Sequence, residues 1–344
     1  MVIRAVDLFC GVGGLTAGLR AAGIEVVAGI DLDGRCEYAY EENNVGSRFM
    51  HMDVADVAAQ DIQGYFGNAR WTLLAGCAPC QPFSTYSRTG ESSKDWPLLE
   101  QFGRLVREVS PDFVTMENVP GLAMHQVYRN FLTNLEALGY HVTAMPRVYC
   151  PDFGIPQTRT RLVLLASRHG GLPCPSPTHS PGNYRTVHDA IGDQPRIEAG
   201  TVDDSDPLHR ASRLSPLNME RIQASKPGGT WRDWPEDLRA ACHLQARGET
   251  YQSVYGRMNW HEPAPTITTQ CYGFGNGRFG HPEQHRAISL REAALLQTFP
   301  EGYRFTPPGR TIQFSMVGRL IGNAVPVRLG TIIGQAFVAH TLTL

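Results

Sequence analysis

Two sulfurs stand three residues apart in "LLAGCAPCQPFSTYS", residues 73–87, as Cys77-Ala-Pro-Cys80. Such a pair supports three chemistries: a dithiol redox centre, half of a zinc site, or one working thiol beside a neighbour. Zinc needs a second ligand pair; Cys150 and Cys174 lie too far apart to supply it and no second C-x-x-C occurs, so no metal is expected. C-x-P-C in an α/β pattern is a thioredoxin-like signal. Here, however, it follows the fourth apolar run and a glycine loop that a dithiol oxidoreductase does not need. The redox pair and the single nucleophile both stay open at this point.

Further along, "PDFVTMENVPGL" brings Glu117 and Asn118 to the end of an apolar run. A carboxylic acid beside a thiol nucleophile suits covalent catalysis on a ring that must be protonated, although a turn cap would read the same way. "PQTRTRLVLLAS" places Arg159 and Arg161 two residues apart. On a strand these would share one face and present two guanidiniums to an anionic substrate, or line a solvated edge. In "AVDLFCGVGGLTAGLR", Gly11, Gly13 and Gly14 follow a strand-like run and precede a helix-like one. Asp31, twenty residues beyond Gly11, would reach a ribose diol, and Asp53 in "HMDV" an adenine amino group. The spacing is not G-x-G-x-x-G, so it names no cofactor, and a plain glycine turn remains an alternative.

The elements that must position these groups alternate. "VIRAVDLF", "EVVAGIDL", "RFMHMDV", "WTLLAGCAP", "PDFVTMENV", "HVTAMPRVY" and "RLVLLAS" read as short β-rich runs, with helix-compatible stretches such as "LTAGLRAAG", "GRCEYAYEENN" and "PLLEQFGRLVREVS" between them. That order predicts an α/β fold, a doubly wound and mostly parallel Rossmann-like sheet with ligands beyond the carboxyl ends of its strands. Composition shifts near residue 170, where "RHGGLPCPSPTHSPGNYRT" is rich in Pro, Gly and Ser. The expected division is a catalytic domain over 1–170, a smaller irregular domain over 171–285, and a return segment over 286–344. In the last, Ser289 and Glu292 form a capping-box pattern and a helix is expected over 326–340.

Bulk properties narrow the class. A 344-residue chain with 42% hydrophobic and 19% charged residues is an ordinary globular composition. The first residues show no basic segment followed by an apolar one, and no apolar run is long enough to cross a bilayer. A cytoplasmic protein with reduced cysteines and no membrane association is therefore expected. The net charge of −2 marks no broadly basic surface, and Lys94 and Lys226 are the only lysines among 31 basic residues. Arginine suits bidentate recognition of phosphate and guanine, although a GC-rich genome favours it equally.

Taken in order, "DLFCGVGG", "IDLD", "MDV", "APCQPFS", "MENV", "QTRTR", "REAALLQTFP" and "IGNAVP" closely resemble the DNA (cytosine-5)-methyltransferase family. They span residues 7 to 326 and leave 171–285 unmatched, where that family keeps its variable target-recognition region. The resemblance implies S-adenosyl-L-methionine as cofactor, with Phe9, Gly11, Gly13 and Gly14 at its methionine end, Asp31 at the ribose, Asp53 at the adenine and Asn323 closing the pocket. It implies Cys80 as nucleophile, Glu117 on the cytosine ring, and Arg159 with Arg161 supporting the target nucleotide. Pro79, Gln81, Ser84 and Asn118 are expected around that nucleotide, and Cys77 as a packing residue. Within the insert, Arg232, Arg257 and Arg278 are candidates for reading bases or holding phosphates. The expected partner is double-stranded DNA, met by a monomer, with a cognate restriction endonuclease acting separately. Cytosine-5 methylation of RNA, the dithiol oxidoreductase and a non-catalytic DNA-binding module are the rival readings.

Overall fold

The computed structural model describes residues 2–79, 96–245 and 252–344. The chain resolves into two compact units. The first comprises Met1–Phe153, Thr160–Thr178 and Ala324–Leu344; the second comprises Gly154–Arg159 and His179–Asn323.

The described strands are β1 (Ile3–Leu8), β2 (Glu25–Asp31), β3 (Arg48–His51), β4 (Trp71–Gly76), β5 (Phe113–Asn118), β6 (His141–Tyr149), β7 (Gln157–Thr158), β8 (Thr160–Ser167) and β9 (Ala264–Pro265). Seven form the sheet of the first unit in the order β3-β2-β1-β4-β5-β8-β6. β1 to β5 run parallel and β8 runs antiparallel to both β5 and β6, so the expected mostly parallel sheet is present. All six residues of β5 are buried, because helices cover both faces of such a sheet, and its polar Thr115, Glu117 and Asn118 find partners inside the protein. Along the edge strand β6 only Val148 is buried, and the register shifts between Met145 and Val148. Pro146 lies in that interval and has no N–H to donate to a ladder.

The helices are α1 (Gly14–Ala21), α2 (Glu37–Asn43), α3 (Ala59–Phe66), α4 (Trp96–Val109), α5 (Gln126–Ala137), α6 (Val187–Ile191), α7 (Pro216–Ala224), α8 (Leu290–Leu296), α9 (Phe314–Asn323) and α10 (Val327–Thr341). No helix among the described residues is long and apolar enough to cross a membrane. The core of the first unit gathers Leu8, Ile30, Leu74, Phe102, Val114, Met116 and Leu164. α10 returns to pack on α1 along a glycine seam. A Cβ added to Gly14 would sit 2.4 Å from the Val325 carbonyl oxygen, and one on Gly18 2.2 Å from that of Val327. Only glycine permits backbones to approach this closely.

The second unit is irregular, as its Pro- and Gly-rich sequence predicts, and it clusters Ile222, Trp231, Trp234, Leu238, Phe274 and Ala287. Side chains here satisfy backbone carbonyls that a sheet would otherwise pair. The expected division assigned residues 286–323 to the catalytic domain; they instead pack within the second unit. The reason is polar as well as apolar. Arg291 Nη2 donates to Asp206 and Nη1 to the Tyr303 carbonyl, while Arg286 Nε reaches the Ile197 carbonyl and its two Nη atoms grip Glu292. Ser289 caps α8 and Glu292 returns the bond, as the capping-box pattern predicts.

Candidate active site

Beyond Leu8 the chain turns at once through Phe9 (φ 57°), Gly11 (φ 51°) and Gly13 (φ 85°). Left-handed backbone costs glycine little, but Phe9 is a side-chain-bearing residue held in a sparsely populated region. The Gly11 N–H donates to Asp31 Oδ2 and the Asp33 N–H to Asp31 Oδ1, both at 2.8 Å, so the turn after β1 is locked to the end of β2. A Cβ on Gly11 would meet nothing within 4 Å. Its glycine therefore answers to backbone conformation and leaves open space. Gly14 differs, being required by the close approach of Val325. Asp53 lies just beyond β3, where its Oδ1 accepts from the Ala55 N–H at 2.9 Å. Leu32, between Asp31 and Asp33, is 65% exposed, a large apolar side chain among carboxylates that the sequence motifs did not single out. An open glycine turn, carboxylate acceptors and exposed apolar surface fit the hydroxyls, amine and ring of a nucleoside. Asn323 ends α9, exposed, directly before Ala324.

Behind the turn, Asp7 is fully buried. Its Oδ2 accepts from Thr16 Oγ1 at 2.7 Å, and a chain of hydroxyls continues through Tyr40 to Ser47; its Oδ1 has no partner. Burial pushes this carboxyl up to about 7 from its usual 3.8. Below pH 3.8 the group is protonated folded and unfolded alike and contributes no penalty. As pH rises towards 7 the unfolded chain ionises while the folded one resists, so stability falls across that window. Asp7→Asn removes the titration. Its melting temperature should gain on that of the wild type by roughly 5 °C between pH 4 and pH 8, and thermal melts across that range would show parallel curves if Asp7 did not titrate.

β5 delivers Glu117 and Asn118 to its carboxyl end, both buried. Arg161 on β8 sets its Nε 2.9 Å from Glu117 Oε1, because the antiparallel register puts Val163 opposite Glu117 and Arg161 two residues away. From the other side, Cys77 Sγ lies 2.8 Å from Glu117 Oε2. Cys77 follows β4 directly and its N–H donates to the Leu8 carbonyl at 3.3 Å. Asn118 Nδ2 donates to the Ala78 carbonyl at 3.0 Å and its Oδ1 accepts from the Val119 N–H. The segment 77–79 is thus fixed to the sheet ends as it leads, through an exposed Pro79, towards residue 80. Cys80, Gln81 and Ser84 lie outside the described residues.

Several of the expected site residues have partners inside the protein that the sequence does not show. Cys77 is the polar neighbour of Glu117 rather than filler. Asn118, expected at the substrate, ties the strand end to the loop. Arg159 and Arg161 do not act as a strand pair: β7 ends at Thr158 and β8 begins at Thr160, so Arg159 falls between strands and alternation does not apply. Arg159 is buried and donates through Nη1 to Gln157 Oε1 and the Ile267 carbonyl, while Arg161 serves Glu117. In the second unit Arg257 is 3% exposed, donating to the carbonyls of Ile222, Ser225, His281 and Gln284, and is scaffold rather than reader. Burial lowers its guanidinium to about 10. Arg232 is exposed with its guanidinium over Trp231, and Arg278 is half-buried.

Comparison with known proteins bears on family and fold. Residues 3–339 match the family model of C-5 cytosine-specific DNA methylase. The Type II methylase M.HgiDII of Herpetosiphon aurantiacus is 53% identical over 339 residues, covering 98% of this chain and 95% of that protein. The Type II methyltransferase M.Eco47II of Escherichia coli is 31% identical over 355 residues, covering 99% and 80% respectively. Among solved structures, an E. coli prophage protein titled as a DNA modification methyltransferase superposes with a TM-score of 0.76 at 23% identity, covering 99% of this chain and all of that one. DNMT2 of Spodoptera frugiperda follows at 0.64 and 16%. Both are likenesses of fold. With a matching model over nearly its whole length and these relatives, the chain belongs to the C-5 cytosine-specific DNA methylase family.

Proposed function

We propose that this enzyme transfers a methyl group from S-adenosyl-L-methionine to carbon 5 of cytosine within a specific duplex DNA sequence, through a covalent adduct between Cys80 and a flipped-out base. The observation that carries the reading is Glu117, buried at the end of β5, its two oxygens approached by Arg161 and by Cys77, three residues before Cys80 in the sequence. Carbon 5 of cytosine is a poor nucleophile. Attack of the Cys80 thiolate on carbon 6 breaks aromaticity and makes carbon 5 enamine-like. Glu117 acts as the acid at ring nitrogen N3, stabilising the charge that develops there. Arg161 fixes that carboxyl against rotation, and Asn118 holds the backbone that presents the nucleophile. When bound, the cofactor supplies an electrophilic sulfonium methyl; Phe9, Gly11, Gly13, Asp31 and Asp53 would hold it. After a base removes the carbon 5 proton, the electron pair re-forms the ring and Cys80 leaves. A stacked, paired base is out of reach of such a thiol, so the target must leave the duplex.

The segment 171–285 is assigned to reading the DNA sequence, with Arg232 and Arg278 as its contacts. The enzyme is placed in the bacterial cytoplasm as a monomer, alongside a separate restriction endonuclease. The test is trapping. Incubated with cofactor and duplex DNA carrying 5-fluorocytosine, the protein should form a denaturation-resistant adduct at one sequence, because fluorine cannot leave as a proton does. No adduct at any sequence, or an adduct on RNA alone, would remove the reading.

A further inference from the structure

We infer that Cys77 is a positioning residue for Glu117: its thiol donates to Oε2 and holds the carboxyl in the rotamer that meets the target ring. The inference rests on the proposed role of Glu117 and extends it to a residue that motif reading leaves as filler. Three observations converge. The thiol donates to Oε2 at 2.8 Å, while Arg161 Nε lies 2.9 Å from Oε1 as an ion pair that leaves Oε1 without a hydrogen bond, so the thiol supplies the directional contact and the guanidinium the charge. Cys77 cannot drift from this place, since its own N–H is bonded to the Leu8 carbonyl and the next carbonyl, that of Ala78, is bonded to Asn118. Glu117 is 2% exposed, so water does not take the thiol's place. A buried carboxylate with a donor removed rotates towards what remains, here Arg161, and a catalytic acid displaced by a fraction of an ångström loses much of its effect.

The expectations separate donor from bulk. Cys77→Ser keeps a donor of similar size, whereas Cys77→Ala and Cys77→Val remove it, the second with volume retained. With tritiated methyl donor and unmethylated genomic duplex DNA, the serine variant should stay within about threefold of wild-type kcat. The alanine and valine variants should fall about 10- to 100-fold in kcat, with KM for cofactor and DNA unchanged.

Wild-type kcat in the alanine and valine variants would overturn the inference while leaving the methyltransferase reading standing. A serine variant that melts like the wild type yet runs as slowly as they do would also overturn it, so the test does not depend on the apolar variants folding. A wild-type enzyme that labels no DNA would overturn the functional reading and this inference together.

Discussion

Cys80→Ser is expected to lower methyl transfer on the order of 10⁴-fold or more while cofactor binding changes by less than about twofold. A free thiol is a few per cent ionised at neutral pH and its thiolate is a strong nucleophile, whereas a serine hydroxyl holds its proton far more tightly. Without attack at carbon 6, carbon 5 never gains the electron density it needs, and Glu117 has no developing charge to stabilise. The measurement is single-turnover labelling beside adduct formation on 5-fluorocytosine duplex; both should vanish together. A Cys80→Ser enzyme within tenfold of wild type would end the covalent route. The companion result at the other sulfur is informative, because a dithiol oxidoreductase would lose as much from Cys77→Ser as from Cys80→Ser, and this enzyme should not.

The second large effect lies away from chemistry. Arg286→Ala should cost about 3–5 kcal/mol of stability. Arg286 and Glu292 are fully buried and joined by two bonds of 2.7 Å, and Glu292 also accepts from the Ser289 N–H. Burial alone would raise the Glu292 carboxyl, but the hydrogen bonds and charge of Arg286 outweigh it and hold it at about 2. In the intact protein His281, 3.7 Å from Glu292, is lowered to about 4, chiefly by burial and further by Arg286 and Arg257, so Arg286 is the cation that faces Glu292 at pH 7. The variant therefore keeps a buried carboxylate without its partner. The pair's contribution is present above the usual carboxyl value of 4.5 and fades as pH falls towards 2. Urea unfolding at pH 7 checks the cost. The double variant Arg286→Ala, Glu292→Gln should recover part of it, and a double variant as unstable as the single would show that packing, not the stranded charge, sets the loss.

Much of this architecture was legible in the sequence. Runs such as "WTLLAG" and "LVLLA" announce themselves because burial on both faces favours apolar residues, and the capping box at Ser289 is a local rule that holds locally. What sequence could not supply are relations between distant residues. Cys77 and Glu117 are forty positions apart, and their contact exists only because β4 and β5 are neighbours. Arg257 looks like any DNA-reading arginine in one dimension, and only the fold reveals four carbonyls waiting for it. Arg159 and Arg161 part for a different reason: alternation holds only within a strand, and β8 begins at Thr160, after Arg159.

The glycine seam between α1 and α10 has a consequence in time. Gly14 and Gly18 can meet Val325 and Val327 only after residues 324–344 have left the ribosome, hundreds of residues after the turn they complete. Until then α1 shows an unsealed face on the growing chain, and chaperones would have longest access there. The turn that would hold the cofactor thus waits, already translated, for the segment that seals it.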